Sequence, residues 1–136
     1  MRHWQSSSGF TIVEVIVASS VLMAVWLAMA RLLVLTTAAN TGARAVMEAT
    51  TLAVDKMEQL RALPFDDPAF AHSPPLALTT NVEGYYDVLD ARYIRRWVIE
   101  PLASYPGAAL SIQVYVVRTA GVGEARLATI KSRRVE

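Results

Sequence analysis

The sequence predicts an α+β fold, in which a long N-terminal helix packs on a small antiparallel sheet of about four strands. Three patterns lead to this prediction. No proline interrupts the first 63 residues. From Phe10 to Ala30 only Glu14 is charged, and about 20 helical residues are enough to cross a bilayer. After residue 84, apolar and polar residues alternate as in strands. The helix is therefore expected to have a transmembrane half and an amphipathic half.

Length and composition limit the classes of function. With 136 residues, the chain suits one modest domain and an appendage. A formal net charge of +1 gives no strong attraction to nucleic acid. The absence of cysteine excludes disulfides, thiol catalysis and thiolate metal sites. We predict no enzymatic activity, no cofactor and no metal site.

The apolar N-terminal segment admits three interpretations. A signal peptide would be cut near the small residues Ala28 and Ala30, but apolar sequence resumes directly after Arg31. A plain signal anchor explains the length of the segment. It leaves Glu14 unexplained, although an acidic side chain at the centre of a membrane helix costs roughly 2.5 to 3.5 kcal/mol.

The third interpretation depends on the residues before the apolar run. A short polar leader ends in the order Gly9, Phe10, Thr11, Ile12, Val13, Glu14. This order resembles the processing site of the type IV prepilin and pseudopilin family. The resemblance implies that a membrane peptidase cuts after Gly9 and N-methylates Phe10. It also implies that Glu14 docks on the new amine of a neighbouring subunit, because opposite charges attract strongly in a low dielectric.

The resemblance further implies an organisation, a location and partners. Residues 1–9 form the leader, 10–35 the transmembrane or filament-core helix, 36–63 its amphipathic half and 64–136 a periplasmic head. The implied location is the bacterial inner membrane, crossed once, and then a pilus or pseudopilus. The implied partners are other major and minor pilin subunits, the prepilin peptidase, the assembly platform and, before assembly, membrane lipid.

The distal half of the helix is predicted to pack through one apolar face. Residues on this face recur at spacings of three and four, namely Val46, Ala49, Ala53, Met57 and Leu60. Two surface pairs are expected at the same spacings, Arg44 with Glu48 and Glu58 with Arg61. Pro64 is expected to end the helix.

Two features bear on the subclass. The segment from Ala53 to Phe65 is similar to the corresponding region of minor pilins of the PilV type. Major pilins commonly have a kinking proline near the end of the span, where this chain has Arg31. A charged residue there would fit poorly inside a filament wall, which favours a minor or tip position. A type II secretion pseudopilin and a membrane-anchored adhesin or DNA-binding module remain as alternatives.

The remainder of the chain is predicted to form a loop and an antiparallel meander. Residues 66–81, which include three prolines, are expected to form an exposed loop. Glycine-containing turns separate the later strands. The predicted strands are Tyr85 to Leu89, Arg92 to Ile99, Leu110 to Val117 and Ala125 to Lys131.

Other candidate sites have simpler explanations. His72 is expected to be a solvated loop side chain, and Asp66 and Asp67 to belong to a turn rather than to a calcium site. Trp97 and Tyr115 are expected to pack in the core. A basic patch for DNA would need several cations on one surface, drawn from Arg95, Arg96, Arg126, Lys131, Arg133 and Arg134. The nearly neutral net charge argues against that function.

Overall fold

The structure, a computed structural model, describes residues 9–70, 73–74 and 76–133 and confirms the α+β prediction. The leader residues 1–8, His72 and Arg134, which were considered above, lie outside the described residues. The elements are helix α1 (Ile12–Ala62), a short 3₁₀ helix (Pro68–Phe70), and strands β1 (Tyr86–Leu89), β2 (Tyr93–Pro101), β3 (Ala109–Arg118) and β4 (Glu124–Ser132).

The four strands form one sheet in the order β1-β2-β3-β4, and every neighbouring pair is antiparallel. The predicted meander is therefore confirmed, with strand ends that differ from the prediction by one or two residues. Alternation along each strand separates an inner face, which packs on the helix, from an outer face. Ile99, Ile112, Val114 and Val116 are fully buried on the inner face.

The distal part of α1 packs on this sheet through a narrow stripe of mostly small residues. The buried positions are Ala45, Ala49, Ala53, Met57 and Leu60. The prediction that Val46 belongs to this stripe is wrong, because its side chain is 41% exposed. Steps of four along most of the stripe place Ala45, not Val46, on the buried side.

The loop prediction for residues 66–81 is also wrong in one respect, since part of this segment is buried. Ser73 is 1% exposed and Ala77 is fully buried. The Ser73 amide donates to the Ile99 carbonyl over 3.2 Å, and the Ile99 amide donates to Ser73 Oγ over 2.7 Å. These bonds satisfy the β2 backbone beyond the end of the short strand β1, so the segment covers an open sheet edge.

The chain divides into two compact units between Asn40 and Thr41. The first unit contains the apolar part of α1. The second contains the rest of α1, the loop and the sheet. The two are described separately below.

Candidate functional site

The predicted processing site lies just before the helix. Gly9, Phe10 and Thr11 have no helical assignment and are exposed, and α1 begins at Ile12. A Cβ built on Gly9 would meet no atom within 4 Å, and Phe10 is 85% exposed. The Gly9–Phe10 peptide bond is therefore outside the hydrogen-bonded helix.

Glu14 forms a capping box with Thr11, a role that the sequence analysis did not identify. The Glu14 amide donates to Thr11 Oγ1 over 3.3 Å, and the Thr11 amide approaches Glu14 Oε2 at 3.4 Å. Such reciprocal bonds satisfy amides that the first helical turn leaves without partners. The order Thr-x-x-Glu was the available sequence pattern for this role. Glu14 is exposed, so its carboxylate can contact both the cap and a group outside the helix.

The apolar part of α1 presents a continuous exposed surface. Every residue from 9 to 40 is exposed, including Trp26 at 66% and Leu33 at 70%. Hydroxyl groups in this part donate to carbonyls one turn earlier, as in Ser19 to Val15 and Thr36 to Leu32. By length and composition, α1 could cross a membrane. Apolar surface of this extent must be covered by lipid or by other helices.

Two charged residues interrupt this surface. Between Gly9 and Ala43 the sequence contains only Glu14 and Arg31 as charged side chains. They are 17 residues apart, which corresponds to about 25 Å along a helix axis. They cannot pair with each other on one helix. When the segment leaves water, each therefore needs a partner outside this segment or a position from which it reaches water.

Comparisons with protein-family models, with curated proteins and with solved structures find no match for this chain. The site is therefore interpreted from the chemistry and placement of its residues.

The second unit contains a nearly buried arginine on the inner face of the sheet. Arg95 is 5% exposed. It donates to both carboxylate oxygens of Asp87, over 3.0 and 2.7 Å, and to Asp55 over 3.1 Å. It also donates to the Leu52 carbonyl over 2.9 Å. Burial alone would lower the pKa of Arg95, but its bonds to Asp87 and Asp55 outweigh burial and raise this pKa.

Tyr93, on the same face of β2, contacts the helix in a second polar cluster. Its hydroxyl donates to Glu48 over 2.9 Å, and Arg92 pairs with the same carboxylate at 3.2 Å. Arg44 was the predicted partner of Glu48. Glu48 instead pairs with Arg92, which connects the helix to the residue before β2. The predicted pair of Glu58 and Arg61 is confirmed at 2.9 Å. Burial, and then the bond to Glu48, raise the pKa of Tyr93.

Lys131 caps the C-terminal end of α1. Its Nζ donates to the carbonyls of Leu60, Arg61 and Leu63, which lack partners within the helix. Burial lowers the pKa of Lys131. A cation near a helix C-terminus is also favoured by the helix dipole. In the sequence, Lys131 stood out only as a candidate for a basic patch, and no local pattern indicated this role.

The five described members of the candidate basic set do not form one surface. Arg95 and Lys131 face the helix, whereas Arg96 and Arg126 lie on the outer face. Arg133 pairs with Asp66. The described cations are thus divided between the two faces, because alternation along β2 and β4 directs them to opposite sides of the sheet. The expectation that nucleic acid is not a partner stays a prediction.

The two aspartates after the helix have structural partners. Asp67 Oδ1 accepts a bond of 2.8 Å from the Ala69 amide at the start of the 3₁₀ helix, which supports the prediction of a turn. Within the described ranges 9–70, 73–74 and 76–133, no three histidine or acidic side chains form a group that could hold a metal ion.

The two aromatic residues expected in the core lie on opposite faces of the sheet. Trp97 is 8% exposed on the inner face, with Lys56 Nζ 3.7 Å from its ring centroid. Tyr115 is half-buried on the outer face, and its hydroxyl donates to Glu124 over 2.8 Å. The prediction is confirmed for Trp97 and wrong for Tyr115, because odd and even positions of β3 face opposite sides.

Proposed function

We propose that this chain is a minor pilin-like subunit of a type IV pilus, made as a membrane precursor and cut after Gly9. The processed subunit enters a helical filament through the apolar part of α1. The observation that carries the proposal is the pattern Gly9, Phe10 and Glu14 at the start of an apolar segment, residues 9–40, in which every residue is exposed. A peptidase substrate needs its bond outside a helix, and the Gly9–Phe10 bond meets this condition.

The docking step follows from charge. Cutting after Gly9 creates a cationic amine on Phe10, which lies four residues before Glu14, about 6 Å along a helix axis. In a filament the Glu14 carboxylate would accept bonds from the amine of an adjacent subunit. One charge buried without a partner is strongly destabilising. The pair would thus favour correct axial register over other arrangements of an otherwise uniform apolar surface.

Arg31 gives the proposal its second part, a minor position rather than a repeating one. Its guanidinium is always charged and lies within the apolar part of α1. In the middle of a filament wall it would need a buried acidic partner in every copy. At a tip or near the membrane surface it can reach water instead.

A minor pseudopilin of a type II secretion system would have the same processing and docking residues. The genes next to this one would distinguish the two systems. A membrane-anchored binding module differs in kind, because it would use α1 only as a tether.

The test of processing is the variant Gly9→Ala, with Ser8→Ala as a control in the leader. We expect Gly9→Ala to leave an uncut precursor and Ser8→Ala to be cut, as judged by the size of the product on a gel in cells that contain a prepilin peptidase. Normal processing of Gly9→Ala would contradict the proposed cleavage site.

The test of assembly exchanges residues 10–35 for an unrelated membrane anchor of the same length. The exchange should abolish pilus display on the cell surface if the chain is a filament subunit. It should leave pilus display unchanged if the chain is a tethered binding module. Wild-type display with the unrelated anchor would contradict a filament role.

A further inference from the structure

A row of four side chains crosses the outer face of the sheet, one from each strand. The registers pair Tyr86 with Arg96, Arg96 with Tyr115, and Tyr115 with Arg126. Aromatic rings and guanidinium groups therefore alternate along the row. Arg96 and Arg126 are separated by one strand, and neighbouring strands lie about 4.8 Å apart. Arg96 and Arg126 thus lie on either side of Tyr115 in the row.

Three of the four members of the row line a groove of about 560 Å³ together with Leu78 and Thr79. Leu78 and Thr79 belong to the segment that covers the sheet edge. The remaining lining residues are Arg96, Tyr115 and Arg126. A volume of this size suits a small organic molecule. The lining combines apolar, aromatic, hydroxyl and cationic groups.

The two arginines are held in place by neutral groups. Arg96 Nε donates to Asn81 Oδ1 over 2.9 Å, and Arg126 Nη2 donates to Gln113 Oε1 over 2.7 Å. Among the described residues, neither guanidinium forms an ion pair. Each bond to an amide leaves further N–H donors of the same guanidinium for another acceptor.

One carboxylate, that of Glu124, lies near the groove and would repel a bound anion. Glu124 accepts the Tyr115 hydroxyl bond on the exposed side of β4. The charges around Tyr115 are therefore two guanidinium groups and one carboxylate. The local surface remains cationic.

We propose that this groove binds a small organic anion that carries a carboxylate or phosphate on a ring. The oxyanion would accept bonds from Arg96 and Arg126, since guanidinium groups match the geometry of both oxyanions. The ring would pack on Tyr115 and Leu78. The Thr79 hydroxyl, which donates to the Leu76 carbonyl over 3.1 Å, would accept a bond from a polar substituent. The site is complete within one chain, so the proposal does not depend on cleavage after Gly9 or on a filament.

The experiment is a titration of the full chain in a maltoside detergent, which carries no phosphate. Phenyl phosphate is the first probe, and benzoate and inorganic phosphate are the second and third, all at constant ionic strength. Binding is followed through the ring NMR signals of Tyr115. We expect phenyl phosphate or benzoate to bind with a Kd of about 1 mM or tighter. Inorganic phosphate should bind more weakly than phenyl phosphate because it lacks the ring.

Four variants distinguish a built site from general attraction. Arg96→Gln and Arg126→Gln should each weaken binding about tenfold, because each removes charged hydrogen bonds. Arg44→Gln makes the same change in net charge on the exposed face of α1 and should leave the Kd within about twofold. Glu124→Gln should tighten binding, which a merely structural role of the row would not produce.

Several results would overturn the proposal. Unchanged Tyr115 signals with all three probes at about tenfold above the expected Kd would exclude the groove as an anion site. Equal losses for Arg44→Gln and Arg126→Gln would show general charge attraction. Equal affinity for phenyl phosphate and inorganic phosphate would contradict the ring contact. If Arg96→Gln does not fold, Arg126→Gln and Glu124→Gln decide the question.

Discussion

Glu14 combines two physical roles in one side chain. Its hydrogen bonds with Thr11 stabilise the first turn of α1, and its charge is the proposed docking group. A capping box contributes about 1 kcal/mol to a helix and needs a hydrogen-bonding group, not a charge. The two roles can therefore be separated by substitution.

The charge of Glu14 is tested by Glu14→Gln, with Thr11→Val as the matched control. Glutamine can still accept the capping bond, but it cannot pair with an amine as an ion. We expect Glu14→Gln to be cut normally and to fail in assembly, and Thr11→Val to be cut and to assemble. Cleavage is read on a gel, and assembly as pili sheared from cells. Wild-type pilus levels for Glu14→Gln would remove the docking role.

Arg95 is a residue whose surroundings could be predicted only in part. The alternation of β2 places it on the same side as Tyr93 and Trp97, so its inward direction could be read from the sequence. Its partners could not, because Asp87 and Asp55 come from β1 and α1. Only the packed structure brings these three residues together.

Replacing Arg95 tests this buried cluster. Arg95→Met should lower the free energy of unfolding by about 2 to 3 kcal/mol, since it leaves Asp87 partly buried without its counter-ion. The figure is below that for a fully buried pair because Asp55 is 59% exposed. Arg96→Met, on the outer face of the same strand, should change it by less than about 1 kcal/mol. Urea unfolding in mild detergent measures both, and equal effects would contradict the structural role of Arg95.

Among the elements, periodicity predicted the helix, all four strands and most of the helix face that packs on the sheet, but not every contact between them. The helix contact face depends on where the β3–β4 turn approaches. A Cβ on Gly123 would lie 3.0 Å from the Cβ of Ala45, so the turn packs directly on the helix beside that residue. No local pattern around Val46 indicates this contact between residues distant in sequence. The same reason applies to Ser73, which bonds to Ile99 across the sheet edge.

The close contact between turn and helix is tested by Gly123→Ala, with Gly121→Ala as the control. Both glycines have positive φ, +145° and +87°, so alanine is strained at each position. Backbone strain alone costs roughly 1 to 3 kcal/mol. Gly121 has open space around it, so only Gly123→Ala adds a clash with Ala45.

We expect Gly123→Ala to lower the midpoint of thermal unfolding further than Gly121→Ala. The double variant Gly123→Ala with Ala45→Gly should recover part of the difference, because it removes the Cβ that is struck. Equal midpoints for the two single variants would indicate that the helix does not approach the turn at Ala45.

At the scale of the whole molecule, the two units differ in what the sequence reveals. The apolar part of α1 and its first residues could be interpreted directly, because their properties depend on composition and local order. The outer groove could not, because Arg96, Tyr115 and Arg126 become neighbours only through the strand order and register. The sequence contains the alternation of each strand, but not which residues oppose each other across the sheet.

If the chain is the processed subunit proposed above, it begins at Phe10 with a methylated amine. Mass spectrometry of the N-terminal peptide, taken from the native membrane and from sheared pili, distinguishes this start from an uncut one. We expect a peptide that starts at N-methylated Phe10 and continues through Glu14. Recovery of the fully functional protein with Met1 to Gly9 still attached would contradict it.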